Sequence, residues 1–495
     1  MRASGILMHL SSLASPHGIG AMGAAARDFV DFLANAGQTY WQILPICPTS
    51  YGDSPYQSFS TFAGNPYLID LDELAAENLL LPEEYQSIDW ESAPDSVNFG
   101  ALYQKRYPVL RKATDRLLAN PPAGYWEFCE SNAFWLPDYA LFMALKDQHD
   151  GAAWSTWEPA LRRREPAALN DARIACAEDI RFWQAVQYLF THQWQSLKAY
   201  ANQKKVSIIG DLPIYVALDS VDVWANPKEF QLDENLCPTE VAGCPPDGFS
   251  ATGQLWGNPL FDWDAMAADG FSWWIRRIHH LCGIYDVLRI DHFRGFSGYY
   301  AIPYGASDAC NGRWREGPGI RLFQAVNQAL GPQNIIAEDL GFLTEDVHAL
   351  LRASGYPGMK VLEFAFDSRD GSDYLPHTYP RECIVYTGTH DNEPVQGWYD
   401  TAPAADVEFA AEYLKLNREE GYVWGMMRSA WASVADLAVV QAQDVLELGH
   451  SARMNTPSTL GGNWCWRALP GVFTPALAEK IRREMALYGR LGPQR

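Results

Sequence analysis

The sequence predicts an α/β fold, a (β/α)8 TIM barrel with inserted, mainly helical subdomains. Two observations lead there. Short apolar runs with turn or polar residues at their C-terminal ends alternate along the chain with longer stretches of helical period, and eight such runs can be counted. Eight parallel strands with intervening helices close most economically into a barrel, whose active site lies at the C-terminal ends of the strands. A doubly wound open sheet is the alternative that the same alternation allows.

In chain order, the expected strands are Gly5–Leu10, Tyr40–Leu44, Ser207–Gly210, Tyr285–Ile290, Asn334–Ala337, Met359–Leu362, Cys383–Tyr386 and Leu437–Gln441. The gap between the second and third is far longer than one crossover helix needs. Residues 1–70 therefore read as the first part of the barrel with a substrate loop, and 71–198 as a mainly helical insertion. That insertion is rich in helical pattern, as in Phe182–Leu197, with proline-containing breaks at Pro82, Pro94, Pro108 and Pro121-Pro122. Residues 199–495 hold the remainder of the barrel. Within them 216–271, dense in Gly, Pro, Asp and Trp, reads as a long loop at the catalytic end of the third strand, a natural substrate wall.

With 495 residues, 48% of them hydrophobic, the chain can bury a large core. Its formal charge of −22 repels phosphate backbones and anionic lipid headgroups alike, so nucleic acid and membrane are poor partners and a neutral ligand fits better. The 19 Trp and 24 Tyr supply flat faces for such a ligand, although most large aromatics are simply core. Nine cysteines without a C-x-x-C pair argue against a disulfide framework or a zinc ribbon and fit a reducing cytoplasm. The apolar run at the N-terminus is too short for a signal peptide, and none elsewhere approaches the ~20 residues of a membrane span.

Three segments place a carboxylate just after an apolar strand: Val287-Leu-Arg-Ile-Asp291, Ile335-Ile-Ala-Glu338 and Ile384-Val-Tyr-Thr-Gly-Thr-His-Asp391. Taken singly, each could be a helix cap or a salt-bridge partner. Barrel geometry would bring all three to one mouth. Retaining glycoside chemistry needs such a set, with one ionised carboxylate as nucleophile and one protonated acid as proton donor. Arg289 precedes Asp291 by two positions, so along a strand it points to the same side and its cation would keep Asp291 ionised. His292 and His390 could donate hydrogen bonds to sugar hydroxyls. Asp339, beside Glu338, would point to the opposite face, and Glu338 has the longer reach. Gly18-Ile-Gly20-Ala-Met-Gly23 matches G-x-G-x-x-G, but no acid ends a second strand about twenty residues on, so these glycines read as turn formers.

A larger set of segments then resembles a known family. Ser54-Pro-Tyr-Gln-Ser-Phe-Ser-Thr-Phe-Ala-Gly-Asn-Pro-Tyr67, Gly210-Asp-Leu-Pro-Ile-Tyr-Val216, Gly243-Cys-Pro-Pro-Asp-Gly-Phe-Ser250, Gly253-Gln-Leu-Trp-Gly-Asn-Pro259 and Arg289-Ile-Asp-His-Phe-Arg-Gly295 resemble the amylomaltases, or 4-alpha-glucanotransferases. Glu338-Asp-Leu-Gly341, Pro357-Gly-Met-Lys-Val-Leu362, Thr389-His-Asp-Asn-Glu393 and Asn455-Thr-Pro-Ser-Thr-Leu-Gly-Gly-Asn-Trp464 extend the likeness over nearly the whole chain. Ala14 and Ala21 depart from it in the first loop, where the family commonly has Pro and Asp.

The resemblance implies an alpha-amylase-clan barrel, no cofactor and no metal, and double displacement on maltooligosaccharides, amylose or other alpha-1,4-glucans. It implies Asp291 as nucleophile, Glu338 as general acid/base and Asp391 as the acid that holds and distorts the donor sugar. Tyr56 and Trp256 would stack on or orient glucose units, and Asp247–Gly253 would form a loop closing over the chain. Ser54, Asp211, Asp247, Arg289, His292, Asp367, His390 and Asn463 would bind sugar hydroxyls or hold the acids. The same acids would serve an alpha-glucan hydrolase, and a decayed barrel could be a non-catalytic glucan-binding scaffold.

Overall fold

Parallel strands buried on both faces need near-continuous apolar runs, and the chain supplies them. The computed structural model describes residues 2–50, 52–246, 250–341, 343–367, 373–459 and 461–492. Among these its strands are β1 (Ala3–Leu7), β2 (Tyr40–Gln42), β3 (Ser207–Leu212), β4 (Glu240–Cys244), β5 (Gln254–Pro259), β6 (Val287–Ile290), β7 (Gly298–Pro303), β8 (Arg313–Glu316), β9 (Ile335–Ala337), β10 (Gly358–Val361), β11 (Cys383–Tyr386) and β12 (Leu437–Gln441). Eight of them form one parallel sheet in the order β10-β11-β12-β1-β2-β3-β6-β9. All eight coincide with the expected runs to within a few residues. β1 ends at Leu7, short of the expected Leu10, because the chain turns into a 3-10 helix at Leu10–Ser12.

The sheet closes into a barrel between β9 and β10 by an unusual seam. One backbone bond, Ala337 N–H to Pro357 O at 3.0 Å, is joined by a side chain: the Asp339 carboxylate accepts the Met359 N–H at 2.6 Å. Gly358 makes room for it, since a Cβ there would lie 2.5 Å from Asp339 Oδ2.

Between β2 and β3 the chain is helical, with Phe99–Ala119, Leu136–Gln148 and Ala177–Gln203 the longest elements, and the last runs through residue 198 unbroken. Pro108 does not break its segment but lies inside Phe99–Ala119. An internal proline costs about 3 kcal/mol. The buried stripe of Leu102, Val109, Leu110, Ala113 and Leu117 offsets that cost by fixing the helix against its neighbours.

Two buried glutamines on Ala177–Gln203 hold the segment that leads out of the substrate loop. Gln187 accepts the Gly64 N–H at 2.7 Å and donates to the Gly64 carbonyl at 2.9 Å. Gln193 does the same for Asp70 at 2.7 and 3.0 Å. Each amide side chain satisfies both polar groups of a buried backbone residue, as a strand neighbour would. Buried Arg277, from the helix Ser272–Ile284, ties this loop to the exit of β3 by donating to Thr61 Oγ1, Ile214 O and Pro213 O at 2.6, 3.0 and 2.7 Å.

The excursion 216–271, expected as a loop, contributes β4 and β5 to an antiparallel sheet completed by β7 and β8, in the order β5-β4-β7-β8. The sequence reading missed this sheet because its strands are short and two of them lie beyond β6.

Candidate active site

The C-terminal ends of β3, β6, β9 and β11 deliver charged side chains to one mouth. Asp211 and Arg289 face each other across the β3–β6 ladder, where they are register partners. Arg289 Nη1 donates to Asp211 Oδ2 at 2.5 Å and to Asp291 Oδ1 at 3.2 Å. Asp211 Oδ2 also accepts the Tyr56 hydroxyl at 2.8 Å. Tyr56, Asp211, Arg289 and Asp291 therefore form one continuous chain of hydrogen bonds.

Glu338 reaches the same place by backbone docking. Its N–H donates to Ile290 O and its carbonyl accepts the Phe293 N–H, each at 3.0 Å, so the segments beyond β6 and β9 are zipped together. Its carboxylate accepts the N–H of His292 at 2.5 Å and of Leu340 at 3.0 Å. The donor of the first bond, His292, adopts φ = 51°, a left-handed conformation uncommon for a non-glycine residue, just after Asp291 at the exit of β6.

Burial raises the pKa of both Asp291 and Glu338. Arg289 opposes that rise at both, but it bonds Asp291 directly. At Glu338 the negative charge of Asp291 adds to burial and outweighs the two N–H donors, so Glu338 is held well above the ordinary carboxylate range. The two carboxyls titrate as a pair, with the Arg289 hydrogen bond favouring the charge on Asp291.

Asp391 lies past the end of β11, with its side chain 46% exposed toward the mouth. Asn455 Nδ2 donates to Asp391 Oδ1 at 2.6 Å, and His390 Nε2 is 3.3 Å from the same oxygen. The His390 ring stacks on Tyr56 with centroids 5.0 Å apart, and Trp464 packs against both. Trp256 meets His292 edge-on at 4.9 Å. Burial lowers the pKa of His390 and takes His292 down to about 3, so both rings are neutral at neutral pH.

The remaining residues named from the sequence are placed as follows. Ser54 Oγ accepts the Tyr56 N–H at 3.2 Å, shaping the turn that presents Tyr56. Asn463 is engaged within its own loop, accepting the Thr456 N–H at 2.9 Å and donating to Thr459 O at 3.2 Å. Asp367 follows the 3-10 helix Leu362–Phe366 beyond β10. Asp247 lies outside the described residues. Sequence reasoning gave no site role to Asn455, Trp464 or Arg453. The first two stand inside a quoted motif, whereas Arg453 carries no local signal. Among the described residues, no group of three or more His, Cys, Asp or Glu is placed to hold a metal ion, and no helix is long and apolar enough to cross a membrane.

A (β/α)8 barrel whose mouth gathers carboxylates from separate strands beside aromatic rings is the architecture of a carbohydrate-active enzyme. A sequence profile described as 4-alpha-glucanotransferase matches residues 8–471. The 4-alpha-glucanotransferase of Clostridium butyricum is 48% identical over 98% of this chain and all of its own length, and that of Thermus thermophilus is 48% identical over 97% of each. The structure of an amylomaltase from Streptococcus agalactiae in complex with acarbose superposes with a TM-score of 0.97 at 42% identity, covering 99% of this chain and all of that one. The chain belongs to the 4-alpha-glucanotransferase family and is a glycosyltransferase of the amylomaltase type.

Proposed function

We propose that this enzyme transfers alpha-1,4-glucan segments by retaining double displacement through a covalent glycosyl-aspartate on Asp291. The observation that carries the reading is the unequal treatment of two partly buried carboxyls. Arg289 donates to Asp291, while burial and the nearby charge of Asp291 raise the pKa of Glu338 in spite of its two backbone N–H donors. One acid is thus prepared to attack and the other to give a proton.

In the first step Glu338 protonates the glycosidic oxygen as Asp291 attacks the anomeric carbon. The bond to the leaving fragment breaks, and its electron pair takes the proton. In the second step Glu338, now the base, removes the proton from an acceptor 4-hydroxyl, which attacks the same carbon and displaces Asp291, restoring the alpha linkage. Asp391 holds the donor sugar in a distorted ring form. Trp256 and the Tyr56–His390–Trp464 cluster orient sugar units, with His292, Asp367, Ser54 and Asn463 contributing around the mouth; a sugar-binding role for Asp247 rests on the sequence resemblance. Donors and acceptors are maltooligosaccharides, amylose and related alpha-1,4-glucans. The acarbose held by the Streptococcus agalactiae relative supports this substrate class. Nine free cysteines support a cytoplasmic location. The insertion 71–198 serves as a buttress for the substrate loop, a reading supported by the grip of Gln187 and Gln193.

Incubation with maltotriose tests the activity. A ladder of longer maltodextrins plus glucose is expected; maltose and glucose alone would mean hydrolysis, and no change would mean a binding scaffold.

A further inference from the structure

The loop that follows β11, residues 387–395, carries His390 and Asp391 and is gripped throughout by the segment that begins at the end of β12. Asp444 holds both ends of the loop, with one oxygen accepting the Thr387 hydroxyl at 2.6 Å and the other the Val395 N–H at 2.7 Å. Gln441 donates to Glu393 O at 3.1 Å. Arg453 uses all three of its side-chain nitrogens: Nη2 donates to Asp391 O at 2.6 Å, Nη1 to Glu393 Oε1 at 2.6 Å and Nε to Asn455 O at 2.8 Å. Asn455 in turn gives its side-chain amide to the Asp391 carboxylate and its N–H to His390 O at 3.1 Å.

Asp391 is therefore held at two points, its carbonyl by Arg453 and its carboxylate by Asn455, whose own carbonyl Arg453 also binds. The planar guanidinium fixes the relative positions of three acceptors, which a single ammonium cannot do. A residue that must press on a sugar during reaction needs placement within roughly 0.5 Å, and groups around it must enforce that.

We propose that Arg453 is a positioning residue for Asp391, acting through the Asp391 carbonyl, Glu393 and Asn455. This rests on the reading of Asp391 as the acid that distorts the donor sugar. Because that contact strengthens toward the transition state, loosening it lowers kcat and leaves KM nearly unchanged.

The test compares Arg453→Lys, Arg453→Ala, Asp391→Asn and the double variant Arg453→Lys/Asp391→Asn. kcat and KM are measured with maltotriose and with a glycosyl fluoride donor, which keeps slow variants measurable. Arg453→Lys is expected to lower kcat about tenfold or more with KM within about threefold, and to weaken acarbose inhibition by a similar factor as kcat. The double variant is expected to be no more than about twofold slower than Asp391→Asn, because the two act as a unit. Added guanidinium ion is expected to restore part of the kcat lost by Arg453→Ala. If Arg453→Ala fails to fold, Glu393→Ala, which removes the acceptor of Nη1, takes its place with the same kcat and KM split expected. Multiplying penalties in the double variant would overturn the proposal, as would near-normal kcat in Arg453→Lys while Asp391→Asn is crippled. Near-normal turnover by Asp391→Asn would instead overturn the reading of Asp391 itself.

Discussion

The Asp339 carboxylate accepts the Met359 N–H at 2.6 Å, so the acid next to Glu338 in sequence closes the barrel and does not enter its mouth. Two adjacent carboxyls on one strand end thus serve opposite ends of the problem. Asp339→Ala is expected to lower stability by about 1–3 kcal/mol, the cost of leaving a buried donor unpaired. Specific activity of the folded fraction is expected to change far less than for Glu338→Ala. Denaturant midpoints and active-fraction titration measure the two effects; equal activity losses would place Asp339 in the chemistry.

Asp291→Asn is expected to abolish turnover while the protein stays folded, because a nucleophile has no substitute in a two-step displacement. Residual transfer above about one percent of wild type would contradict the assignment.

With Glu338 as the proposed proton donor, its pKa sets the expected pH dependence. A carboxyl whose pKa is raised by burial and by Asp291 keeps its proton at neutral pH and loses it as pH climbs, so the proton donor is present below the raised value and lost above it. The alkaline limb of kcat/KM is expected well above the ~4.3 of an ordinary glutamate. Glu338→Gln is expected to slow transfer by about 10²–10⁴-fold and to become glycosylated and stall with a glycosyl fluoride, which needs little proton assistance. An alkaline limb in the ordinary carboxylate range, or no labelling where wild type is labelled, would give Glu338 another role.

Tyr56 makes two separable contacts. Its ring stacks on His390 and its hydroxyl donates to Asp211, whose other oxygen is buried and has no hydrogen-bond partner among the described residues. A hydrogen bond to a charged group is worth about 1.5–3 kcal/mol, so Tyr56→Phe is expected to cost about tenfold in kcat/KM by loosening Arg289 and Asp291. Tyr56→Ala also removes the ring and is expected to raise the ratio of hydrolysis to transfer. Free glucose and new reducing ends measured together from maltotriose separate the two; an identical ratio in both variants would remove the ring from acceptor placement.

Gln187→Leu leaves the Gly64 N–H and carbonyl without partners and is expected to destabilise the protein by about 2–5 kcal/mol, lowering the unfolding midpoint. A change below about 0.5 kcal/mol would mean that water replaces the amide.

The barrel strands were legible because a parallel strand is buried on both faces and announces itself as a continuous apolar run. The acids after β6, β9 and β11 were legible for a related reason: strand ends in a barrel share one mouth, so a carboxylate there has a destination before any contact is known. Arg289 pointing with Asp291 followed from the two-residue period of a strand. Local pattern could not say which neighbour Asp339 would meet, that Pro108 would sit inside a helix, or that β4, β5, β7 and β8 would pair. Nor could it reveal Arg453, whose three acceptors on Asp391, Glu393 and Asn455 become neighbours only when the segment after β12 folds back over the loop after β11. Periodicity records which face of an element is buried and is written locally. Partnership between distant polar groups is set by where two loops cross, and in this protein only the closed barrel decides that.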